Sequence, residues 1–303
     1  MTTAIPLRAL GVEEDFLLVG AATWRPTAVA PDRVSSRTPV LHDLDDLRAA
    51  LVGLRRRVAS DAEGDGAVPV ATGTNPFPVD GHPAPDARLT CGCHVQVAVE
   101  SPEEAVGAVE GIRPWLPVLI AIAANSPFWH GADTGYASYR TQVRGRPPAA
   151  RVGAAFGRAT VGVQVADVPI EVDDAVLVAA LVRALVHNAA RRWRAGLPPA
   201  PVRPEVARLA TWRASRSGLA AVLVDVTGRR PVPARVMVQK LVAHVRDALE
   251  ETGDLCTLHE LVADLTGRGT GAARQRDAYR DRGRLEDVVR MLAERSVPLA
   301  LVP

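Results

Sequence analysis

The chain has 303 residues, of which 48% are hydrophobic and 4% aromatic, enough apolar material for the core of one large domain or two small ones. Lys and Arg together number 36 against 34 Asp and Glu, so the net charge gives no reason to expect nucleic acid or an anionic membrane as a partner. Three cysteines cannot form a disulfide framework, and no signal-like segment opens the chain, so we expect a cytoplasmic protein. The most apolar stretch, Trp115–Ala124, is too short to span a bilayer.

The hydrophobic pattern changes character near Pro169. Alternating patterns before this point predict strands, and longer helical periodicity after it predicts helices. This is an α+β layout, expected in a single domain in which residues 1–170 are strand-rich and residues 171–303 are helix-rich. The predicted strands are Leu7–Val19, Val34–Val40, Val68–Thr72, Leu89–Val99 and Thr160–Val168.

Helix starts are marked by capping residues and prolines. Asp43 and Ser101 are predicted to cap the first two helices, and Asp173 is predicted to cap a long third one. Pro114 and Pro117 predict a break or restart after the second helix. Later helices are predicted to begin near Pro204, Pro233, Thr257, Thr270 and Leu285, so the C-terminal third is expected to be helical.

Two predicted strands carry polar side chains on one face. Glu13 and Asp15 are two residues apart on the first strand and share a face, which suits a cation or ligand, whereas Glu14 points the other way. His94 and Gln96 share a face of the fourth strand. An acidic pair on a strand is also typical of a solvated face, and His94 is equally compatible with a half-buried imidazole.

Other polar residues have simpler interpretations. Cys91 and Cys93 face away from His94 and lack a second ligand pair, so a transition-metal site is not expected there. The arginine run at 55–57 is interpreted as a solvated helix face, and the Gly267–Gly271 turn as a loop and helix cap rather than a phosphate site. Arg140 suits a carboxylate or phosphate ligand, or alternatively a buried salt bridge.

Six segments carry recognisable motifs: Gly11–Phe16, Gly73–Phe77, Cys91–Val97, Arg113–Trp129, Gly135–Arg140 and Gly269–Arg276. In their order and spacing they resemble the carboxylate–amine ligase family related to glutamate–cysteine ligase, often described as YbdK-like or type 2 glutamate–cysteine ligase. The resemblance covers most of the chain.

The resemblance implies a curved antiparallel sheet with an open concave active face and helices packed outside, a glutamine-synthetase/guanido-kinase-like catalytic fold. It implies that Mg-ATP phosphorylates a carboxylate and that an amine attacks the acyl phosphate. It places the catalytic residues at Glu13, Asp15, His94 and Arg140, and makes Glu13, Asp15 and His94 the ligands if any metal is bound. Because the family tends to associate and shortened loops can expose apolar surface, it also implies a homo-oligomer.

Five positions of the same face depart from the family pattern. Ser35 stands in place of a glutamate, Asn75 and Gln96 in place of histidines, and Gly162 and Gln164 in place of a glutamate and an arginine. A segment of several tens of residues between Arg146 and Thr160 is also expected to be missing. ATP and Mg are therefore doubtful cofactors, and ordinary Mg-ATP-dependent ligation is expected to be weak or absent.

The sequence leaves two functions open. The first is a divergent ligase-like protein repurposed to act on a small amino-acid-like or carboxylate substrate, using Glu13, Asp15, His94 and Arg140. The second is a non-catalytic paralogue that binds a metabolite or pairs with an active ligase.

Overall fold

The structure is a computed structural model that describes residues 7–26, 33–78, 90–143 and 150–298. Within these residues, the strands are β1 (Leu10–Gly20), β2 (Arg33–Arg37), β3 (Ala67–Val70), β4 (Gly92–Ala98), β5 (Phe128–Trp129), β6 (Ala132–Asp133), β7 (Ala150–Ala155), β8 (Arg158–Asp167), β9 (Val222–Asp225) and β10 (Arg230–Pro233). The helices are α1 (Leu44–Glu63), α2 (Pro102–Ile112), α3 (Leu116–Ile122), α4 (Arg140–Val143), α5 (Val172–Arg194), α6 (Pro204–Ser217), α7 (Ala234–His244), α8 (Arg246–Thr252), α9 (Leu255–Arg268), α10 (Gly271–Arg282) and α11 (Leu285–Ser296).

The main sheet is antiparallel throughout, in the order β2-β1-β4-β8-β7. β3 pairs with β1 on the side of β4, past the end of the β1–β4 ladder, because Leu17 of β1 pairs with Arg33 of β2 on one side and with Val70 of β3 on the other. The strand-rich first half and the antiparallel sheet confirm the predicted α+β class. All five predicted strands are present, each with ends shifted by a few residues. The predicted start at Leu89 lies outside the described residues.

One face of the sheet is covered by helices. Leu10 and Val12 of β1, with Val95 of β4 and Val161 of β8, are buried in the largest apolar cluster, and α5 packs across β1, β4 and β8. Alternation along each strand sends every second side chain into this core. The remaining side chains of β1, β4 and β8 point to the opposite face, which holds the predicted site.

Helix α1 closes the outer side of this core and confirms the predicted cap. The Asp43 carboxylate accepts from the N–H groups of Asp45 (2.7 Å) and Asp46 (3.2 Å). The prediction for the long helix was wrong by two residues, since α5 begins after Glu171. Asp173 lies in its first turn, and its carboxylate accepts a hydrogen bond from Nε of Arg48 of α1 (2.7 Å).

The interpretation of the arginine run at 55–57 was wrong for Arg55. This side chain is 1% exposed, because α1 packs directly on the sheet and Glu14 of β1 supplies a buried counter-ion. Two hydrogen bonds join the guanidinium to Glu14, at 2.9 and 2.6 Å. Arg56 and Arg57 are exposed, as predicted.

The helical stretch Pro102–Ile122 contains the predicted restart, because a 3-10 turn at Arg113–Trp115 separates α2 from α3. The stretch is long and apolar enough, with a mean hydropathy of 1.5, to cross a membrane by length and composition, but 61% of its apolar window is buried inside the fold. It therefore also fits a core helix of this domain.

The C-terminal third is not entirely helical, contrary to the prediction. β9 and β10 form a hairpin between α6 and α7. The turn is held by Asp225, whose carboxylate accepts from the N–H groups of Thr227 (3.1 Å) and Gly228 (2.8 Å). This local side-chain to backbone bonding favours a turn over a helix.

Candidate functional site

The face of the sheet opposite the helices, which we call the open face, is built from residues of four strands in register: Gly11, Glu13 and Asp15 of β1, Arg33, Ser35 and Arg37 of β2, Gly92, His94 and Gln96 of β4, and Gly162 and Asp167 of β8. Residues directly opposite one another in antiparallel strands project to the same side. Glu13 lies between Arg37 and His94, and Asp15 lies beside Ser35. The structure therefore brings together most of the residues predicted for the site.

Glu13 is the accessible carboxylate of this face. Its side chain is 27% exposed, and its Oε2 accepts from the Nε of Arg37 at 3.1 Å and from Nη2 of the same arginine. Because β2 pairs with β1, the alternating Arg33-Ser35-Arg37 pattern places both arginines over the acidic strand.

Asp15 is almost fully buried, at 2% exposure. It accepts hydrogen bonds from the hydroxyl of Ser35 (2.6 Å) and the backbone N–H of Gly92 (3.2 Å). The Nη1 of Arg33 lies 3.6 Å from its Oδ2. Its lone pairs are thus directed to donors of the protein itself.

A third carboxylate, Asp167, lies at the other end of this face. It accepts from the N–H of Asn125 (2.8 Å) and the hydroxyls of Ser126 (2.7 Å) and Ser138 (2.9 Å). Burial raises the pKa of Asp167, and the nearby Arg140 opposes that rise. Ser126 and Ser138 lie in two of the motif segments, Arg113–Trp129 and Gly135–Arg140, but no sequence pattern assigned either serine to the site.

Arg140 is 2% exposed, and its guanidinium lies over Gly92. A Cβ at Gly92 would come within 2.7 Å of Cζ of Arg140 and 2.9 Å of Nε2 of His94. The Nη2 of Arg140 is 3.4 Å from that imidazole nitrogen, and its Nη1 is 3.8 Å from Asp167. Within the part of the chain that the structure describes, its buried Nε has no hydrogen-bond partner. Burial lowers the pKa of Arg140. Few protein acceptors therefore engage this buried cation closely.

The position of Asp167 depends on an irregularity in β8. Gly162 lies opposite Gln96, but the register then shifts, and Asp167 lies opposite Gly92. A bulge of one extra residue reverses which side chains face which side. Simple alternation from Gly162 would send Asp167 to the core, so the sequence pattern alone could not assign it to this face.

The replaced positions have different local roles. The amide oxygen of Gln96 accepts from the hydroxyl of Thr160 (3.1 Å), and the Gln96 side chain lies against Gly162. Asn75 is not on the open face of the sheet: its Oδ1 accepts from the N–H of Phe77 (3.0 Å) and stabilises a turn. Gln164 lies at the bulge of β8 and is half-buried.

The motif segment Gly269–Arg276 contacts the residues that hold Asp167. The N–H of Ala272 donates to the carbonyl of Ala124 (2.9 Å), and Nε2 of Gln275 donates to Oδ1 of Asn125 (2.7 Å). Thr270 caps α10, in agreement with the loop-and-cap interpretation. α10 thus holds the segment that presents Asn125 to Asp167.

The possible metal ligands of the open face do not cluster within the described part of the chain. Among residues 7–26, 33–78, 90–143 and 150–298, no group of three or more His, Cys, Asp or Glu side chains is placed to hold a metal ion. Glu13, Asp15 and His94, the conditional metal ligands, do not form such a group. Cys91 and Cys93 are buried, and burial raises the pKa of both thiols.

Comparison with solved structures identifies the class of fold. The chain matches a bifunctional glutathione synthetase from Pasteurella multocida with a TM-score of 0.66 and 12% identity over 95% of this chain and 52% of that chain, so it spans about half of that protein. It matches a glutamate–cysteine ligase from Francisella tularensis, solved with AMP, with a TM-score of 0.64 and 9% identity over 97% of this chain and 90% of that chain. The fold is that of carboxylate–amine ligases.

Sequence comparison identifies the family. The model of glutamate–cysteine ligase family 2 matches residues 33–162 and 155–291, and the chain belongs to that family. A Frankia alni relative, provisionally named glutamate–cysteine ligase 2-2, is 44% identical over 89% of this chain and 83% of its own length. A Streptomyces avermitilis relative, provisionally named glutamate–cysteine ligase 2-1, is 37% identical over 93% of this chain and 98% of its own length.

The family match also bears on the expected missing segment. The two matched stretches meet at residues 155–162, which is where β7 turns tightly into β8. The alignment with a Streptomyces coelicolor relative is 360 positions long and covers 96% of this chain. Since 96% of 303 residues is about 291 residues, about 70 positions of that alignment have no counterpart in this chain. The chain is therefore shorter than this relative.

Proposed function

We propose that this protein is a divergent member of glutamate–cysteine ligase family 2 that binds and acts on a small amino-acid-like or carboxylate substrate at the open face, with Mg-ATP-dependent ligation weak or lost. One observation carries the proposal. Each carboxylate of the open face has a guanidinium beside it: Arg37 beside Glu13, Arg33 beside Asp15, and Arg140 beside Asp167.

This pairing argues against Mg-ATP chemistry. Mg²⁺ requires oxygen ligands in near-octahedral geometry and is usually held by one or two carboxylates with water and phosphate. Guanidinium groups remain charged at any physiological pH, so a metal ion at Glu13 or Asp15 would have to displace or repel an arginine. Phosphoryl transfer depends on charge neutralisation at the phosphates, and the acidic groups that would hold the metal for this purpose are already paired.

The accessible region of the face suits a zwitterion. The half-buried Glu13 carboxylate can accept from an ammonium group, and the neighbouring Arg37 guanidinium, whose side chain is 67% exposed, can bind a carboxylate in a bidentate manner. His94 lies next to Glu13 in the register and carries the side chain best suited to proton transfer near neutral pH. Asp15 and Arg140 lie on the same face and are buried.

The same ion pairs favour a second candidate function. Because the protein itself compensates each carboxylate, the face needs no ligand to be stable. A non-catalytic paralogue that binds a metabolite, or that pairs with an active ligase, would tolerate such a face.

Ligand binding tests the proposal. Thermal shift and calorimetry would be run with Mg-ATP, with amino acids and with amino-acid-derived carboxylates, on the parent and on a Glu13→Gln/His94→Ala variant. A ligand at about 100 times its Kd should stabilise the parent by about 2.7 kcal/mol and leave the variant unchanged. Glu260→Gln/His259→Ala, at exposed positions of α9, is the matched control and should respond like the parent.

Two other results would change the conclusion. Turnover of ATP with glutamate and cysteine at a rate of order 1 s⁻¹ would refute the loss of ligation. No response to any small molecule, together with stable co-purification of another ligase-like chain, would favour the second candidate.

A further inference from the structure

Strand β7 forms an open edge of the main sheet. It pairs with β8 on one side, and no described strand pairs with its other side. The four residues 151–154 are all exposed, and Val152 is 44% exposed. An edge strand presents backbone N–H and C=O groups that can pair with another strand.

The opposite edge of the sheet is protected, whereas β7 is not. β2 has five residues, two of which are the arginines of the open face, and Pro39 follows it closely. β7 has six residues, one charge, no proline and an unbroken register with β8. Charged side chains, proline and bulges are the usual devices that keep an edge from associating, and β7 has only Arg151.

The hairpin geometry shows which backbone groups of β7 are available. Phe156 and Gly157, the two turn residues, both have positive φ, at 59° and 70°, which defines a type I′ turn. The closing pair Ala155 and Arg158 is then a hydrogen-bonded pair, and such pairs alternate along the ladder. The N–H and C=O groups of Ala150, Val152 and Ala154 therefore point away from β8.

We infer that β7 pairs antiparallel with β7 of a second copy of this chain, about a two-fold axis at Val152. In this register Val152 lies opposite Val152 of the partner subunit, and Ala150 lies opposite Ala154 of the partner subunit. All three outward residues of each copy then form hydrogen-bonded pairs. A two-fold axis centred one residue away, at 151 or 153, would leave one of these three outward residues without a hydrogen-bonded pair within the strand.

The side chains of β7 are compatible with this register. Arg151 lies opposite Gly153 of the partner subunit, where the absence of a side chain leaves room for the arginine stem. The two copies of Arg151 are not directly opposite, so like charges do not meet in a cross-strand pair. In this dimer the main sheets of the two copies form one continuous sheet. The β7 pairing would be the interface of the homo-oligomer expected from the family resemblance.

The expected dimer is concentration-dependent. One strand pair buries less surface than the roughly 1,200–2,000 Å² of a standard stable interface. Light scattering and sedimentation velocity from about 1 to 100 µM should therefore show a monomer–dimer equilibrium with a micromolar Kd. A parent protein that stays monomeric over this range would overturn the inference.

Val152→Pro tests the interface. Proline removes the outward N–H at the two-fold centre and is tolerated on an edge strand, and the β7–β8 ladder does not use that N–H. The dimer Kd should rise at least tenfold with unchanged circular dichroism. A proline control at Val106 would break α2, so a lysine pair serves as the matched comparison. Val152→Lys should weaken the dimer, whereas Val106→Lys, at a position 56% exposed, should not.

Cross-linking tests the register directly. In a Cys256→Ser background, which removes the exposed native thiol, Val152→Cys should form a disulfide-linked dimer on mild oxidation, because directly opposed Cα atoms fall within disulfide range. Val106→Cys should not. A dimer that persists undiminished in Val152→Pro, or that fails to cross-link through Val152→Cys, would show that the interface lies elsewhere.

Discussion

Two arginines, one on each face of the main sheet, are almost equally buried but differ in how many of their N–H groups have hydrogen-bond acceptors. Arg55 is 1% exposed and Arg140 is 2% exposed. Arg55 uses all three nitrogens: besides Glu14, it donates to the carbonyl oxygens of Pro169 (3.0 Å), Ile170 (2.6 Å) and Ser296 (3.0 Å). Among the described residues, Arg140 has no hydrogen-bond partner for its buried Nε, and its guanidinium makes long contacts to His94 (3.4 Å) and Asp167 (3.8 Å).

The difference separates a structural group from a candidate functional one. A buried charge is tolerated when its hydrogen-bonding capacity is filled, and Arg55 meets this condition by joining β1, α1, the segment before α5 and the end of α11. Arg140 does not meet it, so the open face contains a buried cation that can still donate hydrogen bonds. Unfilled capacity in a polar face is a mark of a binding group.

The largest expected effect is on the helix-covered face. Arg55→Met leaves Glu14 buried without its counter-ion, and removal of one partner from a buried pair costs about 3–5 kcal/mol. Urea unfolding should show this loss. Arg57→Met, on the exposed side of the same helix, should change the free energy of unfolding by less than about 0.5 kcal/mol.

The double variant Glu14→Leu/Arg55→Met completes this test. Because it removes both charges, it should be more stable than Arg55→Met alone. A single variant that loses less than about 1 kcal/mol would show that this pair is not a structural element, and the contrast with Arg140 would fail.

The fold was largely predictable because its signals are local. Alternation along β4 and β8 and the capping groups Asp43 and Ser101 lie within a few residues of the elements they define. The prediction missed the β9–β10 hairpin although its turn signal is also local: Asp225 bonds to residues two and three positions ahead, and the helical interpretation of the C-terminal third overlooked it. The prediction failed at Arg55 because burial there depends on Glu14, 41 residues away.

The candidate site was only partly predictable. Glu13, Asp15 and His94 share a face through strand periodicity, and the family motifs indicated Arg140. The role of Asp167 required a bulge that periodicity does not show, and Ser126 and Ser138 reach it only through the folded loops. The alternating Arg33-Ser35-Arg37 pattern was a usable signal for the counter-ions, since it matches the alternation of Glu13 and Asp15 on the paired strand.

Asp225, in the turn of the β9–β10 hairpin, is a charged group whose expected contribution to stability is smaller than that of Arg55. Asp225 is bonded to Lys240 (2.7 Å), the single lysine of the chain, as well as to Thr227 and Gly228. Burial alone would raise the pKa of Asp225, but the bonds from Gly228, Lys240 and Thr227 lower it to about 2. Asp225→Asn should therefore cost about 1–2 kcal/mol at pH 7.

The pH dependence fixes the sign of that effect. A carboxyl group with a lowered pKa in the folded state stabilises the protein above its unfolded pKa, and this contribution is lost as the pH falls through the folded value. The stability difference between parent and Asp225→Asn should be constant from about pH 7 to 5 and should shrink from about pH 4 towards 2. A difference that grows as the pH falls would contradict the assignment to Asp225.

The smallest expected effect tests the loose placement of Arg140 itself. Gly92→Ala adds a methyl group where the guanidinium now lies, close to Cζ of Arg140 and Nε2 of His94. Because Arg140 is weakly tied, its guanidinium should move aside, at a cost of about 1 kcal/mol, and the ring resonances of His94 should shift in the NMR spectrum. Gly53→Ala in α1, which has open space around it, is the matched control and should be neutral or slightly stabilising. A loss of several kcal/mol in Gly92→Ala would mean that Arg140 is held as firmly as Arg55, and the distinction between the two faces of the sheet would then no longer identify Arg140 as a binding group.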